Sequence, residues 1–133
     1  MKRIILILIG ITIFSCSNDE VDSDTTYFSP PIWIQGTWSH EVDGEIQNDV
    51  GFKFTNNDFC VINSGVNTQC YNALLKMNED NGLNVEVDEV SSDNQYKVDI
   101  KVVYNTSSYN FVKISDIRFK WVVGEDETIF LKQ

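Results

Sequence analysis

Alternation of apolar and polar residues, which runs from Ile32 to the C-terminus, most constrains how this chain can fold. The pattern is clearest over residues 83–88, 96–104 and 117–123, where every second residue is apolar. A period of two is typical of β-strands with one buried face. Weaker alternation predicts six more strands, over residues 34–41, 50–55, 58–63, 68–77, 109–114 and 128–132.

The connections between these strands are short and contain residues suited to tight turns, such as Asp43-Gly44 and Asn81-Gly82. Strands this close along the chain pair antiparallel, because a parallel return needs a crossover of a dozen or more residues. We therefore predict one all-β domain over residues 32–133. Its expected architecture is an antiparallel up-and-down β-barrel of about eight to nine strands, closed or nearly so.

One segment of the predicted barrel has two interpretations. Residues 72–79 have good helix propensity, although a strand over residues 68–77 fits the surrounding pattern. A strand is the favoured prediction, and a helix remains the alternative.

The N-terminus has the composition of an export signal. Lys2 and Arg3 precede an apolar run over residues 4–14, which is too short to cross a bilayer as a helix. Ile13-Phe14-Ser15-Cys16 then resembles the lipobox of bacterial lipoproteins. The resemblance implies a signal peptide over residues 1–15 and a Cys16 that carries a diacylglycerol and a further acyl chain such as palmitate. The alternative is a soluble secreted protein in which Cys16 has no such role.

The residues after Cys16 are polar and acidic, which predicts a solvated tether over residues 16–31. An acidic stretch in this place resembles the surface-export tag of Bacteroidetes-type lipoproteins. The resemblance implies a lipid-anchored protein of the bacterial outer membrane, exposed at the cell surface. A linker that faces the periplasm is the alternative.

The charge balance narrows the range of partners. Twenty acidic and ten basic residues give a net charge of −10, which disfavours binding to nucleic-acid phosphates. The expected partners are the membrane, through the N-terminal lipid, and either a small apolar ligand or a protein.

Cys60 and Cys70 remain as a pair once Cys16 is assigned to the lipid. A hairpin that places Cys60 opposite Cys70 puts Gly65 at the tip of its turn. We therefore predict a disulfide between these two residues, with a structural rather than a redox role.

The sequence contains no motif that indicates catalysis. His40 is its single histidine, and we find no Gly-x-Ser-x-Gly, no His-Glu-x-x-His and no phosphate-binding glycine loop. We expect no enzymatic activity, no metal site and no cofactor.

Ile34-Gln35-Gly36-Thr37-Trp38 is similar to the Gly-x-Trp opening of lipocalins and of small bacterial lipocalin-like lipoproteins. The resemblance implies that Gly36 bends the chain into the first strand and that Trp38 closes one end of the barrel. A basic side chain, Lys132 or Arg118, is expected to stack on Trp38.

The lipocalin resemblance also implies a small apolar molecule, or a glycan fragment, inside the barrel. Tyr71, Tyr96, Phe119 and Trp121 are the predicted ligand contacts. Packing alone is the alternative explanation for these residues, since eight strands enclose a space that side chains can fill. The rival hypothesis is a protein-interaction module, of the inhibitor or immunity type, with a filled barrel and an exposed apolar patch. Trp33 could belong to such a patch or cover the barrel's end.

Overall fold

The computed structural model describes residues 25–64 and 67–133, which form nine strands and one α-helix. The strands are β1 Gly36–Val42, β2 Glu45–Phe54, β3 Phe59–Asn63, β4 Asn67–Cys70, β5 Val85–Ser91, β6 Gln95–Val102, β7 Asn105–Ser115, β8 Arg118–Val123 and β9 Asp126–Lys132. The helix α1 is Tyr71–Asp80, and a 3₁₀ helix, Ile32–Ile34, precedes β1. The prediction of an all-β antiparallel fold is confirmed.

The nine strands form one strongly curled sheet, a half-barrel, in the order β4-β3-β2-β1-β9-β8-β7-β6-β5. Strands that follow one another in the chain pair, except β4 and β5, and β1 also pairs with β9, where Trp38 lies opposite Lys132. The strand ladder is open between β4 and β5, and α1 contacts β3, β4 and β5 at this opening. A closed barrel would also pair β4 with β5, and α1 takes the place of that pairing.

The strand predicted over residues 68–77 is wrong after Cys70, where α1 begins. The helix runs along the opening between the two edge strands, β4 and β5, and its diameter of about 10–12 Å with side chains is roughly twice the spacing of paired strands. The amide of Asn72 donates to Asp58 Oδ1 at the start of the helix, and Leu75 is buried on its inner side. Among the described residues, no helix has the length and hydropathy needed to cross a bilayer.

The inner face of the sheet carries a core made mainly of aromatic rings. Its fully or nearly fully buried members are Phe28, Ile34, Trp38, Phe52, Phe54, Phe59, Leu75, Tyr96, Val98, Ile100, Phe111, Phe119 and Phe130. The alternation over residues 96–104 places Tyr96, Val98 and Ile100 inside as predicted, but Tyr104 lies in the β6–β7 turn and is exposed. The alternation fails there because the strand ends at Val102.

Residues 27–35 form an N-terminal strap that packs across one end of the half-barrel. The Phe28 ring lies 5.1 Å from the Phe59 ring, and the amide of Ser29 donates to Glu89. Trp33 is partly buried against the core, and its Nε1 donates to the carbonyl of Ser92. Trp33 thus covers the barrel's end, and the packed structure includes residues 27–31, which the sequence had assigned to the tether.

A bulge between Ser39 and His40 separates two parts of β1. Up to His40 the strand pairs with both β2 and β9, and beyond it only with β2. Gly51 lies opposite Ser39, and a Cβ at this position would stand 2.2 Å from the carbonyl oxygen of Trp38. The backbones therefore approach too closely for any other residue at position 51.

The antiparallel order sorts the turns into two ends of the half-barrel. The proximal end holds the N-terminal strap and the turns at residues 55–58, 92–94 and 116–117. The distal end holds the α1–β5 connection at residues 81–84 and the turns at residues 103–104 and 124–125.

Candidate functional site

Half-buried aromatic side chains form a wall on the concave face of the sheet. The ring of Tyr109 stacks on that of Trp121 at 6.0 Å and meets that of Tyr71 edge-on at 5.8 Å. Phe52 lies beneath, 5.4 Å from Trp121. We call Tyr71, Tyr109 and Trp121 the concave wall.

The polar atoms of the concave wall differ in their bonding. The hydroxyls of Tyr71 and Tyr109 hydrogen-bond to each other, and burial together with this bond raises the pKa of Tyr109. Trp121 Nε1 is buried and has no hydrogen-bond partner among the described residues. Such a wall offers flat apolar faces with a few polar atoms, which is the chemistry that small-molecule and glycan sites use.

The four predicted ligand contacts fall into two pairs. Tyr96 and Phe119 are fully buried inside the core, whereas Tyr71 and Trp121 are partly exposed and belong to the concave wall. The hydroxyl of Tyr96 donates to Glu89, and burial raises its pKa. Tyr109, which joins Tyr71 to Trp121, was not predicted, although its spacing from Phe111 puts both on one strand face.

Trp38 closes the proximal end of the core. Its ring is fully buried, lies 4.6 Å from that of Phe119, and donates from Nε1 to the carbonyl of Ile34 at 2.7 Å. Lys132 Nζ lies 5.4 Å from the centre of the ring, in a cation–π arrangement. Gly36, at φ +128°, lets the chain pass Lys132, since a Cβ there would stand 2.9 Å from Lys132 Cε.

Arg118, the other basic residue considered for Trp38, lies on the outer face of the sheet. Its Nη2 donates to Glu41 at 3.1 Å. The pair borders a surface cavity of about 320 Å³, together with Asp43, Ile114 and Ile129. The expectation of a stacked cation is met by Lys132, because Arg118 alternates with Phe119 and faces the opposite side.

A second surface cavity, of about 510 Å³, opens at the proximal end. It is lined by Pro31, Ile32, Trp33, Ser92, Asp93 and Lys113. None of the four predicted ligand contacts lines this cavity or the cavity beside Arg118.

The distal end presents an exposed aromatic side chain on a constrained turn. Tyr104 is 93% exposed, and the residue before it, Val103, has φ +57°, which is rare for a β-branched residue. The amide of Val103 donates to the carbonyl of Asn84 at 2.9 Å, which ties the turn to the α1–β5 connection. Leu83, beside Asn84, is also exposed.

Carboxylates also lie at the distal end. Glu79 and Asp80 end α1, Glu125 lies in the β8–β9 turn, and Asp126 and Glu127 begin β9; Asp80 and Glu127 form ion pairs with Lys76 and Lys120. The distal end is therefore suited electrostatically to a positively charged surface.

Cys60 and Cys70 form the predicted disulfide, at directly paired positions of β3 and β4. Val61–Gln69, Ile62–Thr68 and Asn63–Asn67 are also paired as the predicted hairpin requires. Among the described residues, one group of metal-ligand side chains is compact, Asp58 with these two cysteines, and the disulfide occupies both sulfur atoms. His40 packs on Phe130 at 5.6 Å. Cys16 lies outside the described residues.

Comparison of the chain with family models, with curated proteins and with solved structures finds no match.

Proposed function

We propose that this chain is a lipid-anchored protein of the bacterial cell envelope whose half-barrel serves as a protein-interaction module. The observation that carries the proposal is the filled interior. Tyr96 and Phe119 have no exposed surface, so an interior ligand would have to displace them from aromatic contacts on several sides. The barrel is thus best explained as a rigid support for its outer surfaces.

The distal end is the surface that this proposal assigns to the partner. A fully exposed tyrosine on a constrained turn loses little conformational entropy on binding, and tyrosine is among the residues that contribute most to protein interfaces. Glu125 and Asp126 at the β8–β9 connection favour a basic partner surface, whereas Asp80 and Glu127 are paired with lysines. Tyr104 and Leu83 would supply its apolar contacts.

Site-specific photocrosslinking in the native host tests the partner surface. A crosslinking amino acid at position 104 is expected to trap one protein, and the yield should fall as salt increases. The same amino acid at Val90, exposed on the outer face of β5, is the control. Equal products from both positions, or none from position 104, would contradict the proposal.

The lipid anchor is supported by the lipobox resemblance at Ile13–Cys16 and by the acidic tether that follows it. Cys16→Ser should release the protein from membranes and abolish incorporation of labelled palmitate. Membrane retention of this variant would refute the anchor. An outer-membrane position, with the domain at the cell surface, is part of the proposal, and protease accessibility in intact cells would test it.

A second function, binding of a small apolar ligand or glycan fragment, is favoured by the concave wall. Trp121 Nε1 has no hydrogen-bond partner within residues 25–64 and 67–133, and Tyr71 and Tyr109 present partly exposed rings beside it. Native mass spectrometry of the protein purified from its own host would reveal a bound molecule. Its loss in Trp121→Ala, with retention in Tyr104→Ala, would assign the molecule to the wall.

A further inference from the structure

The proximal end combines exposed apolar side chains with the point at which the chain leaves toward its anchor. Ile32 is 85% exposed and Ile117 is 64% exposed, although both lie next to well-packed structure. Ile32 and Trp33 line the cavity of about 510 Å³ together with Lys113. Lys113 forms an ion pair at 2.7 Å with Asp116, the residue before Ile117. Ile32 therefore lines a cavity with Lys113, and Ile117 follows the aspartate that pairs with this lysine.

The N-terminal strap fixes where the tether begins. The backbone amide of Tyr27 donates a hydrogen bond to Asn72 Oδ1 at the start of α1, and Phe28 packs on Phe59 at the start of β3. Both contacts lie at the proximal end. Tyr27, where the strap begins, therefore lies at the same end of the domain as Ile32 and Ile117.

Tether length decides which end of the domain can meet the bilayer. Residues 17–26 separate Cys16 from Tyr27. Ten residues extend to at most about 35 Å. The seven residues of β9 span roughly 20 Å along the strand, so the distal end lies about that much farther away. The tether thus keeps the proximal end at high local concentration against the membrane.

We propose that the proximal end docks on the bilayer surface through Ile32, Trp33 and Ile117, so that the domain stands upright with Tyr104 directed away from the membrane. This inference rests on the proposed lipid anchor at Cys16. Transfer of an isoleucine side chain from water into lipid is favourable, and tryptophan favours the membrane interface. Lys113 can extend its amine toward the headgroups while its methylenes contact the apolar layer. Asp116 and Asp93 offset the positive charge of Lys113. Docking on the bilayer therefore depends on insertion of the apolar side chains and not on net charge.

Quenching of tryptophan fluorescence tests the docking directly. Full-length lipidated protein is reconstituted in phosphatidylcholine vesicles with and without brominated phosphatidylcholine. Brominated lipid should quench the wild type, and Trp33→Phe should remove most of that quenching, because Trp38 is buried and Trp121 lies inside the sheet.

Aspartate variants then test the isoleucines. Ile32→Asp with Ile117→Asp should lower the docked population about a hundredfold, since each apolar side chain withdrawn from lipid is worth roughly a factor of ten. Quenching should disappear while the protein stays with the vesicles. Val123→Asp, exposed at the distal end, is the matched control and should be quenched like the wild type.

The outcomes separate docking from anchoring. Protein that fails to float with vesicles would contradict the lipid anchor itself. Vesicle-bound protein without quenching of Trp33, or quenching that the double aspartate variant leaves unchanged, would overturn the docking alone. A dimer that dissociates on introducing the same aspartates would also overturn it, by assigning the face to a second copy of the chain.

Discussion

The two ends of the half-barrel are built in opposite ways. At the proximal end the N-terminal strap inserts Phe28 into the core, Trp38 closes it, and Glu89 accepts hydrogen bonds from Ser29 and Tyr96. At the distal end the chain reverses in tight turns, and Tyr104 makes no buried contact. Long-range packing of buried side chains thus concentrates at the proximal end, whereas the distal turns carry an exposed tyrosine.

The difference indicates where this fold can change without losing stability. Proximal residues are held by partners distant in sequence, so substitutions there should cost stability. Distal residues are held by local turns, so substitutions there should change binding and leave stability intact. The predictions below test this division, from the largest expected effect to the smallest.

Phe28→Ala should lower the free energy of unfolding by about 3–5 kcal/mol, because it empties a fully buried aromatic position. Urea unfolding followed by tryptophan fluorescence measures the change. Ile32→Ala, exposed in the same strap, is the control and should stay within about 0.5 kcal/mol. A loss below about 1 kcal/mol for Phe28→Ala would mean that the strap is not part of the core.

Gly51→Ala should lower the free energy of unfolding by about 3 kcal/mol, because the new methyl group would overlap the carbonyl of Trp38. In Gly124→Ala, at the distal β8–β9 turn, the new methyl group would lie in open space. Only the backbone strain at φ +61° should lower the free energy of unfolding, by about 1 kcal/mol. Equal losses in thermal or urea unfolding would break the contrast between the two regions.

Tyr96→Phe should cost about 1.5–2 kcal/mol near neutral pH, because it removes a hydrogen bond to the carboxylate of Glu89. The pKa of Tyr96 is raised by burial, and that of Tyr27 is raised to about 12, so the folded state keeps protons that the unfolded state releases above pH 10. Stability present below pH 10 should therefore decline as the pH rises above it.

Unfolding of the wild type and of Tyr96→Phe from pH 8 to pH 12 checks the sign of this dependence. The variant should show a shallower alkaline decline than the wild type. Tyr104→Phe is the distal control and should follow the wild-type curve. A wild-type protein whose stability rises above pH 10 would contradict the prediction.

Lys132→Met should cost about 0.5–1 kcal/mol, because it removes the cation above Trp38 and keeps most of the side-chain packing. Lys76→Met, which removes an exposed helical ion pair with Asp80, should cost less than about 0.5 kcal/mol. Thermal unfolding at matched salt would distinguish them. A higher free energy of unfolding for Lys132→Met than for the wild type would show that the cation above Trp38 does not stabilise the fold.

Tyr104→Ala should change the free energy of unfolding by less than about 0.5 kcal/mol, because the side chain is exposed. Capture of the proposed partner should nevertheless be lost. A large loss of stability would show that Tyr104 has a structural role, and undiminished capture would exclude it from the partner surface.

Much of the sheet was predictable, because alternation and cysteine position are local signals. The sequence predicted nine strands, the pairing of Cys60 with Cys70 and the inward-facing residues Tyr96, Val98 and Ile100. It did not reveal the close approach at Gly51, since that contact depends on the bulge between Ser39 and His40. It placed Tyr104 with the inward residues because period two continues in the sequence after the strand has ended.

Sequence by itself determined the antiparallel sheet and which side of each strand is apolar, because side-chain alternation is a property of the strand alone. Only the tertiary structure decided that residues 71–80 fill the opening between the sheet edges as a helix, that Phe28 belongs to the core and that Lys132 rather than Arg118 covers Trp38. Each of these depends on how far apart distant segments lie once the sheet has curled.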